Sequence, residues 1–242
     1  MLKNTIKQCY YWLINSPPYL LFVRGSKLLS RKGIYPYIDQ QFSEIKPSSN
    51  VLNVGAGGRV NDMLNDYANK NGFTVVSQDI DEKRNPDILG DICTLPLEPE
   101  TYDVISICEV LEHLHSPHLA IENMFCALKP EGKIIITVPF IFPMHERPFD
   151  YYRYTKYGLE HLLSNFEEVK IKERNSWGET INVLFVRHIM NDNVSSKLAA
   201  PALVTLGLVM APLFWLMSKL IRSDYITTGY LVSARKASHS TT

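Results

Sequence analysis

The sequence predicts an α/β fold in which helices flank a mostly parallel sheet. Three features predict this class: short apolar runs of strand length, glycine or a carboxylate directly after several of these runs, and helical patterns between them. The first run, 51–54, leads directly into the glycine-rich segment 55–58, and apolar residues at helical spacing begin at Val60. A strand, a glycine turn and a helix in this order expose backbone N–H groups at the carboxyl edge of an open sheet.

The glycines of this turn have two possible explanations. Glycine is needed where a Cβ would block a positive φ or the close approach of a ligand. A tight strand-to-helix turn without any ligand is the alternative, because a single Gly-x-Gly also occurs there. The residues that end the later apolar runs favour the ligand-binding interpretation.

Carboxylates follow three later runs at the same predicted edge of the sheet. Asp79 lies 24 residues after Gly55, about where a doubly wound fold places the acid that binds a ribose diol. Asp91 follows Gly90, and Glu109 ends the buried run 102–108. The alternative is a capping or turn residue at Asp91 and a solvated loop charge at Glu109.

The remaining elements complete the alternation of strands and helices. A helix is predicted after Ser116, a good N-cap that is followed by proline, and the segment 129–132 ends it. Strands are predicted over 133–138, 166–172 and 226–234. With the earlier runs, these make seven strands.

These motifs resemble those of the class I S-adenosylmethionine-dependent methyltransferases, the broad group that contains many small bacterial enzymes. The resemblance covers about residues 50–163. It rests on five motifs: Asn53-Val54-Gly55-Ala56-Gly57, Asp79, Gly90-Asp91-Ile92 with Leu95-Pro96, Tyr102-Asp103-Val104 and Leu111-Glu112-His113. It implies a Rossmann-like, seven-stranded, mostly parallel sheet whose last strand returns antiparallel beside strand six. Two residues depart from the family pattern: Asn53 stands where an acid is usual, and Arg59 replaces a possible third glycine.

The resemblance also implies the cofactor, S-adenosyl-L-methionine, and the residues that bind it. Gly55, Ala56 and Gly57 would lie behind the methionine portion, and Asn53 could still accept a hydrogen bond. The remaining implied ligands are Asp79 and Ile80 at the ribose, Asp91 and Ile92 at the adenine, and Glu109 beside the cofactor. A nicotinamide cofactor is disfavoured because Val60 occupies the sixth position of the dinucleotide fingerprint, where glycine is wanted.

Composition fits one catalytic domain with additions. The chain has 242 residues, of which 45% are hydrophobic, and its formal net charge is zero, so no nucleic-acid partner is predicted. The four cysteines show no metal-ligand spacing and no disulfide framework, so no metal site is predicted. The N-terminal apolar run is broken at 15–18 and predicts no signal peptide. A cytoplasmic protein is therefore expected.

Residues 1–49 are predicted to form an N-terminal helical lid before a methyltransferase domain over 50–242. Helices are expected over 2–14 and 19–29, separated by Pro17-Pro18. The density of aromatic and basic residues also fits a pair of helices at a membrane surface, and the two interpretations are compatible.

A stiff, aromatic loop follows the fifth strand, over 139–155. His145 is the candidate general base for a hydroxyl acceptor, because the unperturbed pKa of histidine lies near neutrality. The candidate acceptor-binding residues are Asp150, Tyr152 and Arg153, and Thr155 is expected to cap the next helix. In the alternative, His145 hydrogen-bonds the loop, and Asp150 and Arg153 form a structural ion pair.

An apolar insert over 190–222 lies between strands six and seven. Its segment 198–218 carries no charge, and length and hydropathy alone would predict a transmembrane helix. A single crossing would separate strands that must meet in one sheet, and Pro201, Gly207 and Pro212 interrupt the pattern. We therefore expect a helical hairpin that contacts a membrane surface, a second copy of the chain or its own domain.

Together these features predict methyl transfer to a hydroxyl of a small-molecule, glycan or lipid-linked acceptor. The alternatives are a non-catalytic S-adenosylmethionine-binding protein and a membrane-associated scaffold with the same fold. The expected location is cytoplasmic, at the inner membrane surface if the insert binds lipid, with a homodimer through 198–218 as the other arrangement.

Overall fold

The computed structural model describes residues 8, 10–12, 14–191 and 193–238. The predicted helix over 2–14 lies largely outside these residues. The chain forms two compact units. The sheet unit comprises Ile34–Phe140, Met144–Arg174 and Gly229–Thr242, and the helical unit comprises Met1–Gly33, Ile141–Pro143 and Asn175–Thr228. The domain boundary expected at residues 49 and 50 stays a prediction.

The sheet unit contains one seven-stranded sheet of order β3-β2-β1-β4-β5-β7-β6. The strands are β1 Asn50–Val54, β2 Thr74–Asp79, β3 Ile88–Leu89, β4 Tyr102–Cys108, β5 Leu128–Pro139, β6 Glu167–Glu173 and β7 Gly229–Arg235. The first five are parallel to their neighbours, whereas β7 lies antiparallel between β5 and β6. The predicted Rossmann-like sheet with an antiparallel last strand is confirmed.

The helices alternate with the strands. They are α1 Pro17–Ser30, α2 Ile34–Ser43, α3 Gly58–Asn71, α4 Pro117–Ala127, α5 Lys156–Leu162, α6 Trp177–Arg187 and α7 Val194–Leu220, with short 3₁₀ turns at Glu82–Arg84, Leu111–His113 and His188–Met190. The hydroxyl of Thr155 accepts from the Gly158 N–H at 3.0 Å, so its predicted capping role is confirmed. Ser116 occupies the N-cap position of α4, but its side chain makes no capping bond and instead contacts His115.

Apolar layers cover both faces of the sheet. Along the central strands, side chains alternate between the two layers: Leu52 and Ile105 belong to the layer that includes α4 and α5, and Val51 and Val104 to the layer that includes α2 and α3. A sheet that is buried on both faces accounts for the continuous apolar runs of its strands. It leaves the carboxyl edge as the place where polar side chains collect.

Helix α2 was missed by the sequence analysis, which placed its residues in the N-terminal lid. Ile38 and Phe42 of α2 are fully buried in the apolar layer against β1. The hydroxyl of Tyr37 donates to the carbonyl of Val232 in β7 at 2.7 Å. Helix α2 is therefore part of the sheet unit.

The apolar insert is one continuous helix, α7, so the hairpin predicted within 198–218 was wrong. Pro201 has no N–H to donate to the carbonyl of Lys197, and this missing hydrogen bond is why the sequence predicted a break in the helix. In the helical unit the hydroxyl of Tyr19 donates to this carbonyl at 3.3 Å. A side chain 178 residues away in sequence thus replaces the missing donor.

A hairpin does form, but between α6 and α7. The N–H of Gly178 donates to the hydroxyl of Ser218 at 3.2 Å, and the indole of Trp177 donates to the carbonyl of Ile221 at 2.8 Å. The end of α7 thus returns to the start of α6. Gly207 permits the close approach, because a Cβ there would lie 2.7 Å from the Asn182 amide oxygen.

Candidate functional site

The glycine turn after β1 has a backbone that requires glycine at its first position. Gly55 has a φ of 93°, and a Cβ on it would lie 2.6 Å from the Val110 side chain. The N–H groups of Gly55 and Ala56 both donate to the carbonyl of Gln78 in β2, at 2.8 and 3.1 Å. Gly57 is extended, and a Cβ there would overlap the guanidinium of Arg84. The turn is therefore closely packed against Gln78, Val110 and Arg84 at the carboxyl edge of β1.

Asp79 ends β2 on the neighbouring strand and is mostly buried. One carboxylate oxygen accepts the Asp81 N–H at 2.9 Å, and the other lies 3.5 Å from Nε of Arg84. The following residue, Ile80, is 70% exposed, which leaves an apolar side chain beside this carboxylate. The same arginine thus contacts both Gly57 and Asp79.

Asp91 follows β3 and is held by two donors. Its oxygens accept from the Cys93 N–H and from Nε2 of His115, both at 2.9 Å. Partial burial opposes ionisation, but these hydrogen bonds outweigh it and lower the pKa of Asp91. Ile92 is buried in the core, and its carbonyl accepts from Asn123 at 3.0 Å.

Glu109 follows β4 and has a positive φ of 54°. The hydroxyl of Thr137 on β5 donates to its carboxylate at 3.0 Å, and the guanidinium of Arg174 forms a very short ion pair with the same oxygen. Arg174 follows β6, and its side chain is 1% exposed, against 29% for that of Glu109. A buried cation therefore fixes the direction of this carboxylate.

Asn53 differs from the other predicted residues because its amide group points into the fold. It is buried in β1 and donates to the side chain of Asn61 in α3 at 2.9 Å. The structure therefore brings Gly55, Asp79, Asp91 and Glu109 to the ends of four adjacent parallel strands. We call these four strand ends the sheet edge.

A second cluster surrounds His145, in the segment 144–155 that we call the histidine loop. Its Nε2 lies 3.5 Å from Glu112, and its Nδ1 lies 3.4 Å from Asp150. The side chain of Glu112 is fully buried and that of Asp150 is 3% exposed, whereas His145 remains 24% exposed. One imidazole therefore lies between two buried carboxylates with one part open.

A second histidine, His113, faces the same carboxylate. Its Nε2 lies 3.6 Å from Glu112, and its Nδ1 lies 2.8 Å from the carbonyl of Phe149. Because a carbonyl only accepts hydrogen bonds, Nδ1 carries a proton and donates it to Phe149, which turns Nε2 toward Glu112. The Glu112 carboxylate thus lies between two imidazole rings whose centroids are 4.9 Å apart.

The pKa shifts in this cluster follow from burial and charge. Complete burial raises the pKa of Glu112. Burial alone would lower the pKa of His145, but the facing Glu112 and Asp150 carboxylates outweigh it, and the net shift is upward. Burial opposes ionisation of Asp150, yet the hydrogen bonds from Arg153 and from the His145 N–H lower its pKa to about 2. The cluster therefore favours a proton on or near His145.

The histidine loop is bound to the turn that carries Glu112. The N–H groups of Tyr151 and Tyr152 donate to the Glu112 carbonyl at 2.9 and 3.1 Å. The hydroxyl of Tyr154 donates to the carbonyl of Leu111 at 3.1 Å. The Leu-Glu-His motif and the histidine loop, which the sequence analysis treated separately, form one structure.

The candidate acceptor-binding residues fall into two groups. Asp150 and Arg153 form a two-pronged ion pair, with nitrogen–oxygen distances of 2.5 and 2.7 Å. Tyr152 is 40% exposed and donates to the carbonyl of His115 at 3.2 Å. The first pair orders the loop, and the exposed tyrosine ring remains available to a ligand.

Three residues without a predicted role belong to these clusters. Glu112 was recognised only as part of a motif, and no sequence signal predicts its complete burial. Arg84 contacts Asp79, five residues earlier in the chain, and Arg174 contacts Glu109, 65 residues earlier. The donor atoms of Glu112, His113 and His145 lie within 4.8 Å of one another, as do those of Asp91, Cys93 and His115. The expectation of no metal site stays a prediction.

Comparison with known proteins identifies a family model described as a methyltransferase domain, which matches residues 31–175. The ubiquinone biosynthesis O-methyltransferase of Coxiella burnetii is 29% identical over an alignment of 142 residues, and the match covers 53% of this chain and 56% of that protein. The chain thus spans little more than half the length of this curated relative.

Two solved structures show the same fold at low sequence identity. One is the phosphoethanolamine N-methyltransferase 2 of Haemonchus contortus in complex with S-adenosyl-L-methionine. Its TM-score is 0.53 at 18% identity, and the match covers 83% of this chain and 51% of that chain. The cyclase SpnF has a TM-score of 0.55 at 14% identity, with coverage of 83% and 81%. Because a cyclase shares the fold, the fold alone does not fix the reaction.

Proposed function

We propose, from the premise that this chain belongs to the class I S-adenosylmethionine-dependent methyltransferases, that it methylates a hydroxyl group. The acceptor would be a small molecule, a glycan or a lipid-linked compound. The observation that carries this proposal is the Glu112–His145–Asp150 cluster in the histidine loop. A partly exposed imidazole between two buried carboxylates is suited to accept a hydroxyl proton.

The sheet edge suits the cofactor. When bound, S-adenosylmethionine supplies a methyl group on a sulfonium centre that is open to in-line displacement. Its ribose and adenine need hydrogen-bonding groups, which Asp79 and Asp91 offer. The space that a Gly55 Cβ would fill is occupied by the Val110 side chain, so Gly55 sets the shape of the turn beside the proposed cofactor site. These features support the proposed roles of Gly55, Gly57, Asp79, Ile80, Asp91 and Glu109, whereas Asn53, Ala56 and Ile92 are proposed from the sequence motifs alone, because their side chains are buried.

Arg84 would have to move for a ribose to reach Asp79. Its ion pair with Asp79 is long, at 3.5 Å, and its side chain is 49% exposed. Only the arginine is exposed, because the Asp79 side chain is 10% accessible. The arginine can therefore turn into solvent, and the ribose hydroxyls would take its place at Asp79.

His145 would act by orientation and proton transfer. Its contacts of 3.4 and 3.5 Å with Asp150 and Glu112 are longer than strong hydrogen bonds. They orient the ring, and because Nδ1 is buried, an acceptor hydroxyl would have to take the place of Glu112 at Nε2 to give up its proton. A proton taken from the hydroxyl would leave an imidazolium that both carboxylates stabilise. Much of the remaining rate enhancement would come from alignment of the acceptor with the methyl group.

Methyl transfer can be tested with tritium-labelled S-adenosylmethionine and membrane, glycan and small-molecule fractions as acceptors. His145→Ala should lower the turnover rate by roughly 100-fold, the usual contribution of a general base, with unchanged calorimetric affinity for S-adenosylhomocysteine. His161→Ala, at an exposed position of α5, is the matched control. An assay with EDTA separates a proton-transfer role from metal ligation. A loss below about threefold in His145→Asn would assign the residue to loop structure alone.

The pH dependence gives a second readout. Because the pKa of His145 is raised, the neutral base forms only as the pH rises above the usual histidine range. The parent rate should therefore increase with pH through that raised pKa. The His145→Ala variant should lose this inflection, whereas His161→Ala should keep it.

A non-catalytic S-adenosylmethionine-binding protein is the alternative function. Asn53 favours it, because its amide is turned toward Asn61 and no acid occupies that position. Cofactor binding without methyl transfer to any fraction would support this alternative. In either case we propose a cytoplasmic location, at the inner surface of the membrane.

A further inference from the structure

Helix α7 exposes an uninterrupted apolar stripe. Seven residues at spacings of three or four line one side of it: Leu198, Ala202, Leu206, Val209, Leu213, Leu216 and Leu220. The stripe is about 33 Å long at 1.5 Å per residue. Its most apolar window has a mean hydropathy of 1.9, and only 17% of that window is buried. A monomeric soluble protein rarely exposes an apolar surface of this length.

Helix α1 of the same unit adds a second apolar surface with basic residues. Leu21 and Leu28 are 70% and 66% exposed. Arg24 and Lys27 are exposed on the same helix. Long basic side chains of this kind can keep their charge in water while their stems lie along an apolar layer.

The charged residues within α1 and α7 are all positive. Neither α1 nor α7 contains an acidic residue, and Lys197, Lys219 and Arg222 stand near the two ends of the apolar stripe. A second copy of the chain would bring a second basic rim against the first. An anionic lipid surface instead offers complementary charge to the rim and an apolar layer to the stripe.

The α6–α7 hairpin argues against a crossing of the membrane. Its partner helix α6 carries Glu179, which pairs with Lys32 at 2.6 Å, and also Asn182 and Arg187. The connection to α7 also carries the polar residues His188, Asn191 and Asn193. A perpendicular insertion would take this helix and this connection into hydrocarbon, where unpaired polar groups are costly. An α7 that lies in the plane of the interface leaves both in water.

We propose that the helical unit is a membrane-docking module whose α7 stripe lies in the plane of an anionic lipid bilayer. The apolar stripe enters the acyl boundary of one leaflet, and the basic residues of α1 and α7 contact the headgroups. This attachment is independent of the methyl-transfer proposal.

The test is flotation of the full chain with vesicles of phosphatidylcholine alone or with 30% phosphatidylglycerol. The parent should float with the anionic vesicles and remain largely unbound with the neutral ones. Val209→Glu with Leu213→Glu should lower the partition coefficient by at least about 100-fold, since each large apolar side chain contributes roughly 10- to 100-fold. Tyr157→Glu, 76% exposed in the sheet unit, is the matched control and should float like the parent.

Two further measurements test the dependence of binding on basic residues and the depth of α7 in the bilayer. Lys219→Glu with Arg222→Glu should weaken binding to anionic vesicles by more than about 20-fold, at roughly fivefold for each lost cation. Fluorophores on Leu198→Cys, Val209→Cys and Leu220→Cys, in a chain without its native cysteines, should report one shallow depth. A Val209 label at the bilayer centre would show a crossing and overturn the proposal.

Two other results would also overturn it. One is a parent that fails to float or binds both vesicle types equally. The other is a stable dimer that the Val209→Glu/Leu213→Glu variant dissociates, which would assign the stripe to a second copy. Retained calorimetric binding of S-adenosylhomocysteine by each variant shows that its fold is intact, so a failure here is distinguishable from a failure of the proposed function.

Discussion

The sheet edge and the histidine loop differ in what holds their functional groups in place. At the sheet edge, backbone geometry fixes the glycine turn: Gly55 has a positive φ, and the Gln78 carbonyl accepts two N–H groups of the turn. In the histidine loop, side chains dominate. The carboxylate of Asp150, for example, accepts hydrogen bonds from the guanidinium of Arg153 and from the backbone N–H of His145.

This difference has consequences for substitution. A turn fixed by backbone tolerates changes in nearby side chains, provided that its glycine is kept. A loop fixed by a few ion pairs and hydrogen bonds depends on each partner. Single substitutions in the histidine loop should therefore have larger effects than side-chain substitutions near the glycine turn.

Glu109 is the carboxylate of the sheet edge that pairs with a buried cation, Arg174. Arg174→Ala would remove the buried cation and leave the Glu109 carboxylate partly desolvated and unpaired. We expect a loss of about 3 kcal/mol in the free energy of unfolding, at the low end for a broken buried pair because Glu109 keeps some exposure. Urea denaturation measures it.

The matched control for Arg174 is Arg235→Ala. Arg235 pairs with Glu168 at 3.4 Å, but both side chains are about half exposed. Such a pair contributes about 0–1 kcal/mol. Equal losses of unfolding free energy in the two variants would show that the buried Arg174 stabilises the fold no more than an exposed arginine does.

Asp150 should make the stability of the histidine loop depend on acid. Its pKa is lowered to about 2 from 3.8, so its contribution is present above pH 3.8 and disappears as the pH falls through 2. The shift corresponds to about 2 kcal/mol. The stability difference between the parent and Asp150→Asn should shrink by about that amount between pH 5 and pH 2. A constant difference would contradict the ion-pair account, and the exposed Asp66→Asn serves as control.

The smallest expected change in the free energy of unfolding is at the end of the histidine loop. Thr155→Ala removes the oxygen that accepts the Gly158 N–H and should cost about 1 kcal/mol. Thr155→Ser keeps this oxygen and should retain most of the stability in thermal denaturation. A Thr155→Ser variant as unstable as Thr155→Ala would assign the loss to the methyl group.

The sheet could be predicted from the sequence because its physical causes are local. A strand buried on both faces needs a continuous apolar run, and a positive φ needs glycine, so β1, β4 and the turn at Gly55 are readable from a few neighbouring residues. The same locality explains the correct prediction of the Thr155 cap.

The rest depends on partners that are distant in sequence. The prolines of α7 predicted a broken helix, but Tyr19 donates to the carbonyl that Pro201 leaves without its helical partner. Glu112 gave no signal of burial, because the histidine loop that covers it lies about 40 residues later. The ion pair of Glu109 with Arg174 likewise joins residues 65 positions apart.

The central claim is that the sheet edge binds S-adenosylmethionine through Asp79, and calorimetry with S-adenosylhomocysteine tests it most directly. The parent should bind in the micromolar range, about 8 kcal/mol. Gly55→Val should abolish binding, because its side chain would collide with Val110 at a positive φ. Asp79→Ala should weaken binding by about 1.5–3 kcal/mol, the scale of a hydrogen bond to a charged group, while the exposed Asp66→Ala in α3 should bind like the parent. An Asp79→Ala variant that binds as tightly as the parent would contradict the account.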